Sequence, residues 1–298
     1  MMYIGEISAL LTAFLWALSS YFFAAATLKV GSVTVNFTRL LFSLVLFCIT
    51  IPLFSLPVDL SAYQIVMLMA SGVAGLVLGD SFFFKSLEYL TTRVSVLITS
   101  FSPGVSALLA FIFLGERLPF LSILGMVISL SGILLVVSSG SSHEEEHPKP
   151  GHVKKGVALA FLYTLGQASG LILLKFANEE SEVNSMTATA VRIFPAVIIL
   201  FPYFLMKVKT FNPKKIFNYD RKAFYNVSAA TVLSAYVGMA LMFVAVTKTK
   251  VAIASMIMAS IPLIQLVISK YLYKEKLSWR SIIGAFITVG GMVLLFWK

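Results

Sequence analysis

The sequence predicts an all-α fold: a polytopic membrane protein of ten transmembrane helices built from two inverted five-helix repeats. Three observations predict it. Hydrophobic residues make up 59% of the 298-residue chain and charged residues only 12%, with a mean hydropathy of +0.93, whereas soluble domains are roughly half apolar and a quarter charged. The apolar residues fall in long runs. The stretch "FLGERLPFLSILG" at 113–125 returns as "LYKEKLSWRSIIG" at 272–284.

The hydrocarbon core of a bilayer is about 30 Å thick and a helix rises about 1.5 Å per residue, so a span needs ~20 apolar residues. Such runs lie at 6–28, 33–54, 63–87, 93–115, 119–139, 156–177, 185–206, 224–246, 250–272 and 279–297. They are continuous rather than alternating in short strands, and a helix satisfies its own backbone in lipid, which favours helices over a barrel. Met1 to Glu6 carries no positive residue, and the first run exceeds a signal peptide's apolar region, so that run is expected to stay in the chain. The single cysteine, Cys48, falls inside the second run and allows no intrachain disulfide.

The polar stretch "SSGSSHEEEHPKPGHVKK" at 138–155 divides the chain into a first repeat (1–139), a linker (140–155) and a second repeat (156–298). The next longest polar interruption is "KVKTFNPKKIFNYDRK" at 207–222; neither is large enough to bury a core of its own. Aligned without a gap, Pro103 meets Pro262, Glu116 meets Glu275, Leu118 meets Leu277, Ser122 meets Ser281, Gly125 meets Gly284 and Gly132 meets Gly291. Spans five through nine separate the two glutamates, an odd number of crossings. Equivalent points therefore face opposite sides, the plan of secondary transporters with a site near the midplane.

Pro103 followed by "LGERLPFLSILGMVISLSGILLVV", with its second copy from Pro262 to Trp297, resembles the EamA-type repeat of the drug/metabolite transporter superfamily. "FKSLEYLTTRVSVLITSFSP" is similar to that family's third and fourth spans. The resemblance implies a ten-helix carrier that moves a small metabolite across the cell membrane by alternating access. It also implies a central cavity lined by the first, third, fourth, sixth, eighth and ninth spans, which here points to Trp16, Ser20, Asp80, Ser100, Tyr163, Gln167, Tyr236 and Ser255. Trp16 to Ser20 and Tyr163 to Gln167 are i, i+4 pairs, each setting an aromatic and a polar group on one helix face. Aromatic faces beside polar groups can hold amines or planar rings.

An ionisable side chain at mid-bilayer costs roughly 2.5–3.5 kcal/mol even on the lenient insertion scale, so each requires a partner, water or a function. Asp80 is the deepest carboxylate; it reads as a proton or cation site, or as a structural partner of Arg39 or Lys85. Lys85 and Glu88 are three apart on one face, within reach of each other at a helix end. Arg39 and Arg192 hold equivalent places in spans two and seven, so they are expected near opposite faces of the membrane, where guanidinium groups can bind carboxylate or phosphate in bidentate fashion. Pro103 and Pro262, in the middle of spans four and nine, each remove a backbone bond and are expected to kink their helices as paired gates. Glu116 is expected to cap the helix that follows it, and the Gly72, Gly75, Gly79 face of span three to serve close packing within the chain.

Other signals carry less. "HEEEH" at 143–147 fits a zinc-protease pattern, but Pro148 and Pro150 follow at once in an acidic linker, and no metal or other cofactor is expected. Asn36-Phe37-Thr38 and Asn226-Val227-Ser228 fit the glycosylation pattern by chance beside apolar spans. The net charge of +10 comes from scattered loop lysines near lipid headgroups, not from a nucleic-acid face. No phosphate-cradling glycine loop appears, which disfavours ATP-driven transport. Ten spans put both termini on one side. The resemblance implies that this is the cytoplasm, whereas the excess of loop lysines on the opposite side, from Lys149 to Lys155, Lys207 to Lys222 and Lys274 to Arg280, implies the reverse.

The function predicted is secondary active export of a small polar or amphipathic metabolite, such as an amino acid, with a proton or cation as coupling ion. The alternative is a passive channel or facilitator. No enzymatic role is expected; the partners are a small-molecule substrate and the lipid bilayer, with the chain a monomer or homodimer.

Overall fold

The computed structural model describes residues 3–30, 32–86, 89–90, 98–139, 153–208, 221–272 and 278–296. Within these the chain is helical, with no strand. It makes ten passes: α1 (Ile4–Val30), α2 (Ser32–Leu53), α3 (62–86), α4 (Ser102–Leu114), α5 (Phe120–Ser139), α6 (Val153–Ala177), α7 (Ser185–Val208), α8 (221–248), α9 (251–272) and α10 (Trp279–Phe296). Eight are long and apolar enough to cross a membrane; α4 and α10 are shorter apolar helices. Large apolar side chains such as Phe111, Ile112, Phe286 and Val289 stand exposed on the outside, as a hydrocarbon solvent permits. Glu88, the histidines of the linker and Glu275 lie outside the described residues, as do positions 209–220 of the second polar stretch.

The repeats interlock rather than sit side by side. Helix α1 packs on α8 and α9 of the second repeat, and α6 packs on α3 and α4 of the first; α2 meets α7, and α5 meets α10. The last pair shows the inversion atom by atom. A Cβ on Gly132 would stand 2.5 Å from Thr288 N and 2.6 Å from Gly284 O, and one on Gly291 would press on Ser129 N and stand 2.6 Å from Gly125 O. The sequence alignment that pairs Gly132 with Gly291 and Gly125 with Gly284 also pairs Ser129 with Thr288, so one set of contacts maps onto the other. Early residues of α5 meet late residues of α10, the antiparallel exchange that a two-fold axis across the helix pair produces.

Inside each half the third helix changes pitch. Val73–Gly79 in α3 and Val232–Gly238 in α8 are π-helical, flanked by α-helix on both sides. They occupy equivalent places, since Gly79 and Gly238 are related as Gly125 and Gly284 are. A π turn leaves carbonyl groups displaced from the ordinary ladder and free to take other donors.

Pro103 and Pro262 stand at breaks between helices, which corrects the expected kink. Pro103 sits in the first turn of α4, after Phe101 at φ −78° and ψ −3°. Pro262 is the second residue of Ile261–Leu272, separated from Val251–Met258 by Ala259 at φ −69° and ψ −5°. In a first turn the missing N–H has no helical partner to lose, so a new helix begins where the sequence suggests a bend.

Candidate functional site

Between the halves lies a cavity of ≈ 220 Å³ bordered by α1, α2, α3, α6, α7 and α8. Trp16, Ser20, Arg39, Asp80, Tyr163, Gln167 and Arg192, all named from the sequence, line it, together with Ser19, Phe23, Leu76, Ser234, Met239 and Met242. Asp80 is its polar centre. One carboxylate oxygen accepts from Arg39 Nη2 at 2.7 Å and the other from Gln167 Nε2 at 3.1 Å. Arg39 is further held by its Nε donating to Asn36 Oδ1 at 2.8 Å, with its guanidinium 5.9 Å from the centre of the Phe23 ring. Asn36, 8% exposed, is thus occupied as a partner of Arg39.

The π turns place these groups. Asp80 opens the α-helix that follows the first one, and its N–H reaches back to Gly75 O. That same carbonyl accepts from Gln167 Nε2 at 3.1 Å. In the second half Met239 takes the place of Asp80, its N–H reaching Ser234 O, and Ser234 O accepts from Trp16 Nε1 at 3.3 Å. Gln167 and Trp16 are therefore counterparts: each first helix of a repeat sends one N–H into the π turn of the other repeat.

Arg39 and Arg192, expected from opposite faces on either side of a midplane cavity, border one cavity. Each stands seven residues into its helix, about 10 Å deep at 1.5 Å per residue, in a core whose middle lies ~15 Å down. The length of the side chain closes the remaining distance. Arg192 is drawn into place by backbone contact, since a Cβ on Gly72 would collide with Arg192 O. Gly75 and Gly79 face Gln167 and Arg192 in the same way, so the small-residue face of α3 does pack within the chain. The side chain of Arg39 is 20% exposed and that of Asp80 14%, whereas Arg192 is 2% exposed.

Three predicted lining residues lie elsewhere. Tyr236 donates to or accepts from Thr50 Oγ1 at 2.5 Å and packs 4.7 Å from the Phe47 ring; the π turn rotates it onto α2. Ser255 turns back to Ala252 O at 3.0 Å and Ser100 is buried at 7% exposure; neither lines the cavity. Pro103 instead borders a separate apolar groove of ≈ 320 Å³ between α4 and α5, with Phe111 and Val127 exposed beside it. The missed lining residues are serines, methionines, Leu76 and Phe23, whose sequence context matches any buried helix face.

On the termini side polar contacts run between the repeats and within the second one. Glu116 pairs with Lys175 at 2.8 Å and accepts from Val251 N at 3.0 Å. It therefore caps α9 of the other half, not the helix after it, because the interlock brings that N-terminus nearer. Lys175 also donates to Thr249 O at 2.7 Å, and Thr249 Oγ1 donates to Glu6 at 3.2 Å. Lys248 bonds Glu182, and Ser61 bonds Glu180. The Lys248 ammonium holds the exposed Glu182 carboxyl below the usual carboxylate range, through its hydrogen bond first and its charge second. No group of three His, Cys, Asp or Glu positioned for a metal ion occurs among the described residues.

Comparison with known proteins places this arrangement. The chain is 21% identical over 235 residues to the uncharacterized transporter YetK of Bacillus subtilis (strain 168), covering 78% of this chain and 68% of that one. It is 21% identical over 230 residues to an uncharacterized transporter of Archaeoglobus fulgidus, covering 77% of this chain and 76% of that one. One solved crystal structure superposes with a TM-score of 0.79 at 12% identity over 100% of this chain and 98% of its own, a likeness of fold alone. Residues 3–138 and 154–297, which are the two interlocked halves, each match the same family, and the chain belongs to the EamA-like transporter family.

Proposed function

We propose that this protein is a secondary active transporter, acting as an exporter, that moves a small polar or amphipathic metabolite such as an amino acid across the cell membrane by alternating access. The observation that carries the reading is the Arg39–Asp80–Gln167 cluster set in a cavity between inverted halves, with Glu116, Lys175 and their partners joined on the termini side. Charges at this depth are costly unless paired or used. Here they border space for a solute smaller than a drug-sized ligand, whose pockets run from about 300 Å³ upward.

Asp80 is the coupling site in this reading. A proton or cation arriving there would compete with Arg39 and free the guanidinium toward solute, linking ion occupancy to substrate binding. The helix breaks ahead of Pro103 and Pro262, equivalent in the two halves, are the hinges about which α4 and α9 move. Opening toward the termini requires Glu116 to release Lys175 and the α9 N-terminus.

Reconstituted vesicles test this directly. Saturable counterflow of a solute drawn from a panel of amino acids, sugars and amines is the expected result; flux without counterflow would make the protein a passive channel or facilitator. Asp80→Asn is expected to abolish pH-gradient-driven uptake while sparing exchange, and equal loss of both would remove Asp80 as the coupling site. A reporter fused to the C-terminus that is active only in the cytoplasm decides which side the termini face.

A further inference from the structure

The two cavity arginines are not alike. Arg39 is satisfied: Nε binds Asn36, Nη2 binds Asp80, and its plane lies over Phe23. Arg192 is 2% exposed, its Nε has no hydrogen-bond partner, and its bonding is confined to Nη1 against Met242 Sδ at 3.8 Å, a weak acceptor. A guanidinium has five N–H donors and keeps its charge. The carboxylate whose charge Arg192 feels is that of Asp80, which Arg39 already binds, and a buried guanidinium with unfilled donors is costly. The Arg192 backbone is held against Gly72 and its side chain borders the cavity.

We propose that Arg192 is the anion subsite of this cavity and that the solute is a small monoanion, carrying a carboxylate or phosphate group on an apolar body. The charge balance supports the class. With no ion at Asp80, its carboxylate, 2.7 Å from Arg39, offsets one of the two guanidinium charges and leaves the cavity a net charge of one positive unit; a monoanion cancels it and a cation or zwitterion does not. Met242, Met239 and Leu76 border the same space, so the solute body beside the anionic group meets hydrocarbon and sulfur. The volume of ≈ 220 Å³ keeps that body small. The proposal rests on the carrier reading for the premise that solute enters this cavity, and it narrows the solute from a metabolite such as an amino acid to an acid that carries no ammonium group.

The test uses the full-length protein purified in detergent, with melting temperature followed in acetate, inorganic phosphate, glycine and methylammonium at constant ionic strength. Acetate or phosphate is expected to raise the wild-type value saturably, the effective anion identifying the group as carboxylate or phosphate. Methylammonium is expected to have no effect. Arg192→Gln is expected to lose the anion response while melting no lower than wild type without ligand, since no partner is left behind; Arg192→Lys retains a weaker response. No anion response in wild type, an Arg192→Gln protein that responds like wild type, or one that fails to fold or melts lower would each overturn the subsite. Glycine matching acetate, or a response to methylammonium, would overturn the monoanion class. Saturable counterflow unchanged by Arg192→Gln would remove the subsite and leave the carrier; Arg192-dependent anion binding with no counterflow for any panel member would do the reverse.

Discussion

The two π turns, Val73–Gly79 and Val232–Gly238, share backbone, place in the fold and even the trick of drawing an N–H from the opposite repeat. Their next residues differ. The first turn leads into Asp80, met by Gln167 and Arg39; the second leads into Met239, met by Trp16 from the neighbouring turn. The scaffold is two-fold and the chemistry is one-sided. The π turns repeat from one half to the other, while the charged cluster of Arg39, Asp80 and Gln167 occurs at one of them alone among the described residues.

The largest effect in this comparison is expected from Asp80→Ala. It strands the Arg39 guanidinium beside a hydrocarbon wall and should cost about 3–5 kcal/mol, as removal of one partner of a buried pair does, whereas Met239→Ala should cost no more than a truncated apolar side chain. Thermal unfolding of the two variants side by side measures the asymmetry. Gly72→Ala comes next: its Cβ would collide with Arg192 O, and overpacking of about 1–3 kcal/mol is expected together with weakened anion binding at Arg192.

Gly132→Ala and Gly291→Ala test the symmetric part. Their Cβ atoms would meet equivalent backbone atoms at similar distances, so both should lose about 1–3 kcal/mol and lose it equally; unequal losses would show that the α5–α10 seam is less two-fold than its contacts. Gln167→Met should cost about 0.5–1.5 kcal/mol for the hydrogen bond to Gly75 O, plus a loss of transport that the counterpart bond from Trp16 to Ser234 does not carry. The smallest effect belongs to Glu182, which is exposed. Its carboxyl is lowered by Lys248, so its contribution is present at neutral pH and is lost as pH falls through and below the ordinary glutamate range. Glu182→Gln should flatten that acid limb slightly, read as the pH dependence of the melting temperature.

Much of the fold was legible in the sequence because lipid imposes it: a helix that must satisfy its backbone in hydrocarbon needs a long apolar run, and such runs are visible as composition. The inversion was legible too, through Glu116 and Glu275 and the odd number of crossings between them. The site was legible where polarity is scarce. Asp80, Arg39, Arg192 and Gln167 stand out in apolar helices, and all four border the cavity. Tyr236 and Ser255 stand outside the lining of this cavity because a hydroxyl can find a helical carbonyl or a neighbour's hydroxyl, and which it does depends on helix rotation. Ser234 and Met239 were invisible for the same reason.

By itself, then, the chain order determined the solvent, the ten crossings, the doubling and the scarce charges, all of which arise from local apolarity and spacing. The tertiary structure decided the rest: that Arg39 is bonded to Asp80 while the Nε of Arg192 has no hydrogen-bond partner, that Glu116 caps a helix of the opposite half, and that Pro103 and Pro262 stand in the first turns of helices. Those outcomes depend on which helices interlock and how a π turn rotates the residues after it. Contacts between residues far apart in the chain leave no periodic trace in a single sequence.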